Sequence, residues 1–424
     1  MKNTKRLLAL VLAFVMVLGM AACGSSETKE TAAADEQAAP AVTEAPVAEN
    51  TVYRSLYASE VTTLNYLITT QENEMTIAAN VIDCLVEYDS LGNIEPALAT
   101  EWSSNEDATV WTFKLREGVK WVDKDGKEVA EVTAHDFVNS ARYVCDAVNA
   151  AAGASQYTNI VAGAEAYNEW TAYQIALADA VDGTDEAGNA VKLITEDGEQ
   201  KVLEVVEEAS AEAIGVKAVD DYTLEYTLTK SCPYFVSMVS TGPYMPSNAA
   251  FMAECGDKFG TSNEYLLYCG AYVLSTYEPQ NQRIMTKNAA YWEADQVFIT
   301  EVQNKYNAEA SSVSTTMYLA GDVDSASVSA DLLNAMLADP EYADDIHPTR
   351  ADTSYSYWYL FNFDPNFSAE YEPENWNIAV NNENFRKSIY AALNRVAALS
   401  AQDAMDHFPG QQHHHSRRLL LRFR

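Results

Sequence analysis

From Trp111 to Val148 the spacing of apolar residues changes character along one short stretch. Trp111, Phe113 and Leu115 alternate with Thr112 and Lys114, the period-two pattern of a strand with one face in a core. Gly118 then turns the chain into Val119 and Trp121, and Asp125-Gly126 closes a hairpin. Thr133-Ala-His-Asp136 has the form of a capping box, and Phe137, Ala141, Val144 and Val148 follow at helical spacing. Antiparallel strands that run straight into an amphipathic helix, without regular βαβ alternation, predict an α/β fold with mixed sheets rather than a barrel.

The same mixture extends along the chain. Thr51 to Ser59 reads as a strand with Val52, Arg54, Leu56 and Ala58 on one side. Met75, Ala79, Ile82 and Val86 recur at helical spacing, with Glu72 and Glu74 in the favourable first turn. Residues 176–213 are acidic and read as a surface insertion. Tyr222, Leu224, Tyr226 and Leu228 alternate with Thr223, Glu225 and Thr227, and Pro233 suits the first turn of a short helix. No internal repeat is present. The roughly 370 residues after Asn50 exceed what one core usually holds, so two lobes are expected. Apolar content of 48% and 25 tyrosines fit a well-packed protein. Two lobes joined by strands, with a cleft between, make a hinge-closing geometry.

The N-terminus is an address. Lys2, Lys5 and Arg6 precede an apolar run, Leu7 to Met20, which as a helix spans about 21 Å. That falls short of the roughly 30 Å hydrocarbon core, so a signal segment is expected in place of a membrane span. The run ends in Met20-Ala-Ala-Cys23-Gly24, which resembles a lipobox, with Cys23 as the lipidation site. Gly24 to Asn50 lacks aromatic residues and is rich in Ala, Thr, Glu and Pro, the composition of a disordered tether. As a coil it reaches roughly 30 Å root-mean-square.

The formal net charge of −35 excludes a nucleic-acid partner, because phosphate binding needs an excess of Lys and Arg. No phosphate-binding loop, serine-nucleophile elbow or His-Glu-x-x-His pair is present. His135, His347 and His407 are too scattered for a metal site or a catalytic triad, so no metal, cofactor or enzymatic activity is expected. Asp123, Asp125 and Glu128 lack the glycine and glutamate positions of a calcium loop and read as a turn. Cys84, Cys145, Cys232, Cys255 and Cys269 remain after Cys23; isolated buried thiols are the plainer reading, and Cys255–Cys269 is the bridge to test first.

Three consecutive runs carry a resemblance. They are Glu87-Tyr-Asp-Ser-Leu-Gly-Asn-Ile-Glu-Pro-Ala-Leu-Ala-Thr-Glu-Trp102, Trp111-Thr-Phe-Lys-Leu-Arg-Glu-Gly-Val-Lys-Trp121 and Val132-Thr-Ala-His-Asp-Phe-Val138. In order and spacing they resemble extracellular solute-binding protein family 5, which includes oligopeptide- and dipeptide-binding proteins. Cys269-Gly-Ala-Tyr-Val-Leu274 and Asn288-Ala-Ala-Tyr-Trp292 extend the likeness. The resemblance implies a two-lobed, periplasmic-binding-protein-like fold of type II. Such a protein closes on an extended oligopeptide and delivers it to the permease subunits of an ABC transporter. By position it implies cleft contacts at Tyr357 and Trp358 on the strand Ser354–Asn362, at Tyr157, and at the lip formed by Glu72 and Asn73. A nickel complex or sugar as solute, an inactive fragment, and a lipid-anchored surface enzyme are the alternatives.

The expected layout is a signal peptide (1–22), a tether (23–50), a first lobe (51–353) with an inserted subdomain at about 75–150, the start of a second lobe (354–409), and an aberrant tail (410–424). That tail holds His413 to His415 and four arginines with no acid, against the acidic composition elsewhere, and points to a truncated, incomplete second lobe. Weak peptide binding, or none, is expected of such a product. A monomer anchored by lipid at the outer face of the cytoplasmic membrane completes the expectation.

Overall fold

The structure, a computed structural model, describes residues 51–89, 91–185, 187–196, 198–328, 330–347 and 360–394. Strand β1 (Val52–Tyr57) lies inside the expected run. Helix α1 (Glu72–Val81) begins with Glu72 and Glu74, which face the positive end of the helix dipole. Its buried positions are Glu74, Ile77, Ala78 and Val81. The expected stripe through Met75 and Ala79 is therefore one step off: Ala79 is exposed, and Val86 belongs to β2 (Val86–Tyr88), paired with β3 (Ile94–Pro96). The buried stripe includes a carboxylate, which a search for apolar spacing passes over.

The meander follows its sequence pattern. Strands β4 (Ala99–Ser104) and β5 (Val110–Leu115) pair antiparallel, and Trp111, Phe113 and Leu115 are buried. Gly118 and Gly126 take left-handed backbone, φ +80° and +77°, which a β-carbon would strain. They bracket β6 (Lys120–Val122) and the turn into β7 (Glu128–Glu131). Helix α2 (Ala134–Cys145) starts where the Thr133 backbone N–H donates to Asp136 Oδ2 at 2.8 Å. Phe137, Ala141 and Val144 are buried, whereas Val148 is 67% exposed because the helix has already ended.

After α3 (Ser155–Thr158) and α4 (Ala164–Asp179), the acidic stretch forms its own antiparallel sheet, β8 (Val181–Thr184), β9 (Ala190–Glu196) and β10 (Glu199–Val202), with β9 central. Strands β11 (Val216–Asp220) and β12 (Thr223–Thr227) then return to the meander, giving the order β11-β12-β5-β4. That sheet thus takes its strands from 99–115 and from 216–227. Helix α5 (Phe235–Met238) begins two residues after Pro233, which lies in the preceding turn. Helix α6 (Ala249–Cys255) is capped by Asn248, whose Oδ1 accepts from the Phe251 N–H at 3.0 Å.

The last sheet has the order β1-β15-β14-β13, built from β13 (Tyr272–Glu278), β14 (Gln282–Lys287) and β15 (Glu301–Tyr306). β1 pairs parallel with β15 while the other neighbours are antiparallel, the mixed character expected. Helices α7 (Ala310–Leu319), α8 (Ala330–Ala338), α9 (Pro373–Asn381) and α10 (Glu383–Ala392) complete the described elements. Between α9 and α10, Trp376 meets Phe385 edge-on at 6.2 Å, and Trp376 Nε1 donates to Asn362 O at 2.7 Å.

One continuous apolar cluster runs from Val61 to Met285. At its centre Phe113, Tyr226, Phe235 and Tyr244 interlock edge-to-face with centroids 5.1 to 6.1 Å apart. Among the described residues no helix is long and apolar enough to cross a membrane.

Candidate functional site: a polar lip at the head of helix α1

The chain leaving β1 reaches Glu60, and helix α1 brings Asn73 back to it: Asn73 Nδ2 donates to Glu60 O at 2.9 Å. The turn between β13 and β14, with the start of β14, supplies the rest. Glu60 Oε1 accepts from the Gln280 backbone N–H at 2.7 Å, and Oε2 takes Arg283 Nη2 at 3.1 Å. Arg283 is only 5% exposed, and its guanidinium lies 3.8 Å from the centre of the Tyr57 ring. Tyr57 in turn meets Tyr306 edge-on at 5.4 Å. Three segments far apart in sequence thus converge on one ion pair.

The electrostatics are those of a packed, charged rim. Burial alone pushes the Glu60 carboxyl up, but the Gln280 bond and the Arg283 charge hold it below the usual carboxylate range. Burial, reinforced by the neighbouring Glu60, raises the Tyr57 phenol to about 12. One turn into the helix, Glu74 is buried as well. It accepts from the Thr62 N–H at 2.7 Å and Thr62 Oγ1 at 2.6 Å, and from Thr69 Oγ1. Desolvation opposes its charge; these donors outweigh it and keep Glu74 low. Below lies a crevice lined by Thr63, Tyr66, Thr69, Glu74, Ile77 and Leu266, with room for about one water.

The expected contact residues divide. Glu72 is exposed on this lip, and Asn73 is tied into it through Glu60. Tyr157 is not a cleft wall. It is fully buried, stacked on Tyr244 at 4.4 Å, and its hydroxyl donates to Pro243 O at 3.3 Å. Burial pushes its phenol well above the ordinary value. Its ring and its hydroxyl are both occupied by the core. Tyr357, Trp358 and the lipidation residue Cys23 lie outside the described residues.

Glu60, Arg283 and Tyr57 were not legible as a site, because no local pattern joins a residue after β1 to one 223 positions later. Elsewhere Asp123 Oδ1 accepts from the backbone N–H of Asp125 and Lys127, both at 3.0 Å, which is the bonding of a turn. Among the described residues no group of His, Cys, Asp or Glu is placed to hold a metal ion. The Cys255–Cys269 bridge does not form: both thiols are free, Cys269 buried in the core and Cys255 partly exposed at the end of α6.

Comparison with known proteins identifies the family. The model of the bacterial extracellular solute-binding proteins, family 5 Middle, matches residues 93–401. The oligopeptide-binding protein AliB of Streptococcus pneumoniae is 28% identical over 355 residues, covering 81% of this chain and 48% of AliB. SarA of Streptococcus gordonii, also an oligopeptide-binding protein, is 27% identical, covering 82% of this chain and 48% of SarA. Among solved structures, the substrate-binding domain of an oligopeptide ABC transporter from Bacillus anthracis matches with a TM-score of 0.56 at 25% identity. It covers 70% of this chain and 48% of that one. The Escherichia coli murein tripeptide-binding protein MppA matches at 0.54 and 25%, over 69% of this chain and 49% of that one. Those structures are two-lobed binding proteins, in keeping with the mixed sheets seen here. The chain spans about half the length of the curated relatives named here. It belongs to family 5 of the bacterial extracellular solute-binding proteins.

Proposed function

We propose that this chain is the solute-binding component of an ABC importer, that its solute is an oligopeptide, and that it hands the peptide to a membrane permease. The family match over residues 93–401 carries the reading, together with relatives named for oligopeptide binding. Extended peptides are gripped through backbone N–H and C=O groups by strands at a cleft, which tolerates varied side chains. Hydrated pockets accommodate those side chains without chemistry, so the protein binds and releases its solute unchanged. The lip of Glu60, Asn73 and Glu72 is one border of that cleft; Tyr357 and Trp358 line its wall. Diacylglyceryl on Cys23 holds a monomer at the outer face of the cytoplasmic membrane, with residues 24–50 as its tether.

The test uses the protein as its cell exports it, purified from the envelope. Acid-released ligands, identified by mass spectrometry, are expected to be a mixture of short peptides. Recovery of a sugar or a nickel complex in their place would sink the peptide assignment. Labelled fatty acid is expected in the wild-type protein and absent in Cys23→Ala.

A further inference from the structure

Glu74 reaches back to two points of the loop that leads from β1 into α1. Its Oε1 accepts from Thr62, through the backbone N–H and through Oγ1, and its Oε2 accepts from Thr69 Oγ1. A carboxylate only accepts, so both threonine hydroxyls give it their single proton. Thr69 Oγ1 is left with lone pairs, and the Gln71 backbone N–H donates to it at 3.1 Å. The Gln71 carbonyl is engaged as well, taking the Glu74 and Met75 N–H groups at 3.2 and 2.9 Å where α1 begins. Both main-chain groups of Gln71 are thus held by the protein. Thr70, one step earlier, is exposed, and among the described residues its backbone N–H and C=O have no partner.

The earlier part of the loop is fastened by other means. The Leu64 N–H donates to Gly260 O at 2.8 Å, the Tyr66 hydroxyl donates to Pro246 O at 2.8 Å, and the Ile68 carbonyl accepts from the Ala152 N–H at 2.9 Å. Between Ile68 and the first turn of α1, the ties among the described residues are the Thr69–Glu74 bond and the Gln71 bond that depends on it. Their loss leaves the loop anchored to the core and loosens the stretch that carries Thr70, Gln71 and Glu72 at the lip.

We propose that Glu74 is a positioning residue for solute binding: through Thr69 it fixes the lip main chain at Thr70 to Glu72, so that free N–H and C=O groups there meet the backbone of an extended peptide. A lip ordered in advance spares the complex the entropy of ordering it on binding. This role rests on the oligopeptide reading; Glu74 itself is buried and does not touch the solute.

The full chain is incubated with a random tetrapeptide library over a range of concentrations, and the peptide held after gel filtration is measured by mass spectrometry. Thr69→Ser keeps the hydroxyl and is expected to bind within about twofold of wild type. Thr69→Val and Glu74→Gln are each expected to raise the half-saturating concentration about tenfold, the effect of one hydrogen bond to a charged group. The double variant is expected to bind no worse than the weaker single one, because both changes break one relay. A Thr69→Val chain that binds like wild type, a Thr69→Ser chain as weak as Thr69→Val, or additive losses in the double variant overturns the proposal and leaves the oligopeptide reading standing. A wild-type chain that holds no peptide at all overturns both. Should Glu74→Gln fail to fold, the valine and serine variants of Thr69 decide the matter.

Discussion

Arg283 and Glu60 carry an asymmetry that mutation should expose. The arginine is nearly buried while the carboxylate side chain is 22% exposed, so losing the acid leaves a cation with no counter-charge in a poorly hydrated place. Glu60→Ala is expected to cost roughly 2–3 kcal/mol, somewhat less than a fully buried pair would. Arg283→Met in the same background should recover much of it, and urea midpoints of the four-member cycle would check this. Tyr157 behaves differently because its ring is core. Tyr157→Phe should cost about 1 kcal/mol for the lost hydroxyl bond. Tyr157→Ala should cost about 3–5 kcal/mol for the cavity, read by the same unfolding curves. The thiols offer an independent check on burial. In the native protein at mildly alkaline pH, Cys255 should react with a thiol reagent before Cys145, Cys232 and Cys269, whose burial raises or shields them.

Helix α2 shows why some elements are legible in a sequence and others are not. Its start is set within four residues, Thr133 to Asp136, and its apolar stripe is local, so periodicity and capping suffice to place it. Asp136 does more than the motif implies: it also accepts from the Trp121 indole N–H at 3.2 Å. Burial is the largest influence on it and raises its carboxyl to about 6, above the ordinary 3.8. A raised acid is penalised once ionised, so its full contribution to stability is present below the ordinary 3.8 and is lost as pH rises through about 6. Asp136→Asn should therefore gain in melting temperature relative to wild type as pH rises from about 5 to 7.5, provided the amide oxygen keeps both bonds. Helix α1 was harder to read because its inward face includes Glu74, held by Thr62 and Thr69 from the preceding loop. The lip was harder still. Nothing near Glu60 signals Arg283, since their meeting depends on sheet order, which is a property of the folded chain.

Across the whole molecule the raised and lowered carboxyls oppose one another. Asp83 and Asp136 are raised, to about 7 and about 6, and weaken the fold as pH climbs through those values; Glu87, raised by burial and by its acidic neighbours, acts in the same direction. Glu60, Glu74 and Glu131 are lowered, so their contribution is present above the ordinary carboxylate value and is lost as pH falls through the depressed one. With a net charge of −35 adding self-repulsion at higher pH, thermal stability should peak between roughly pH 5 and 6, measurable by calorimetry across a buffer series. The parallel pairing of β1 with β15 has a consequence in time. Ser55 and its partner Asn304 are 249 positions apart. At about 5–20 residues per second, a ribosome needs roughly 12–50 s to make the interval between them. Throughout that wait the first strand has no sheet neighbour to zip onto, so its edge stays open until the far end of the sheet has been made.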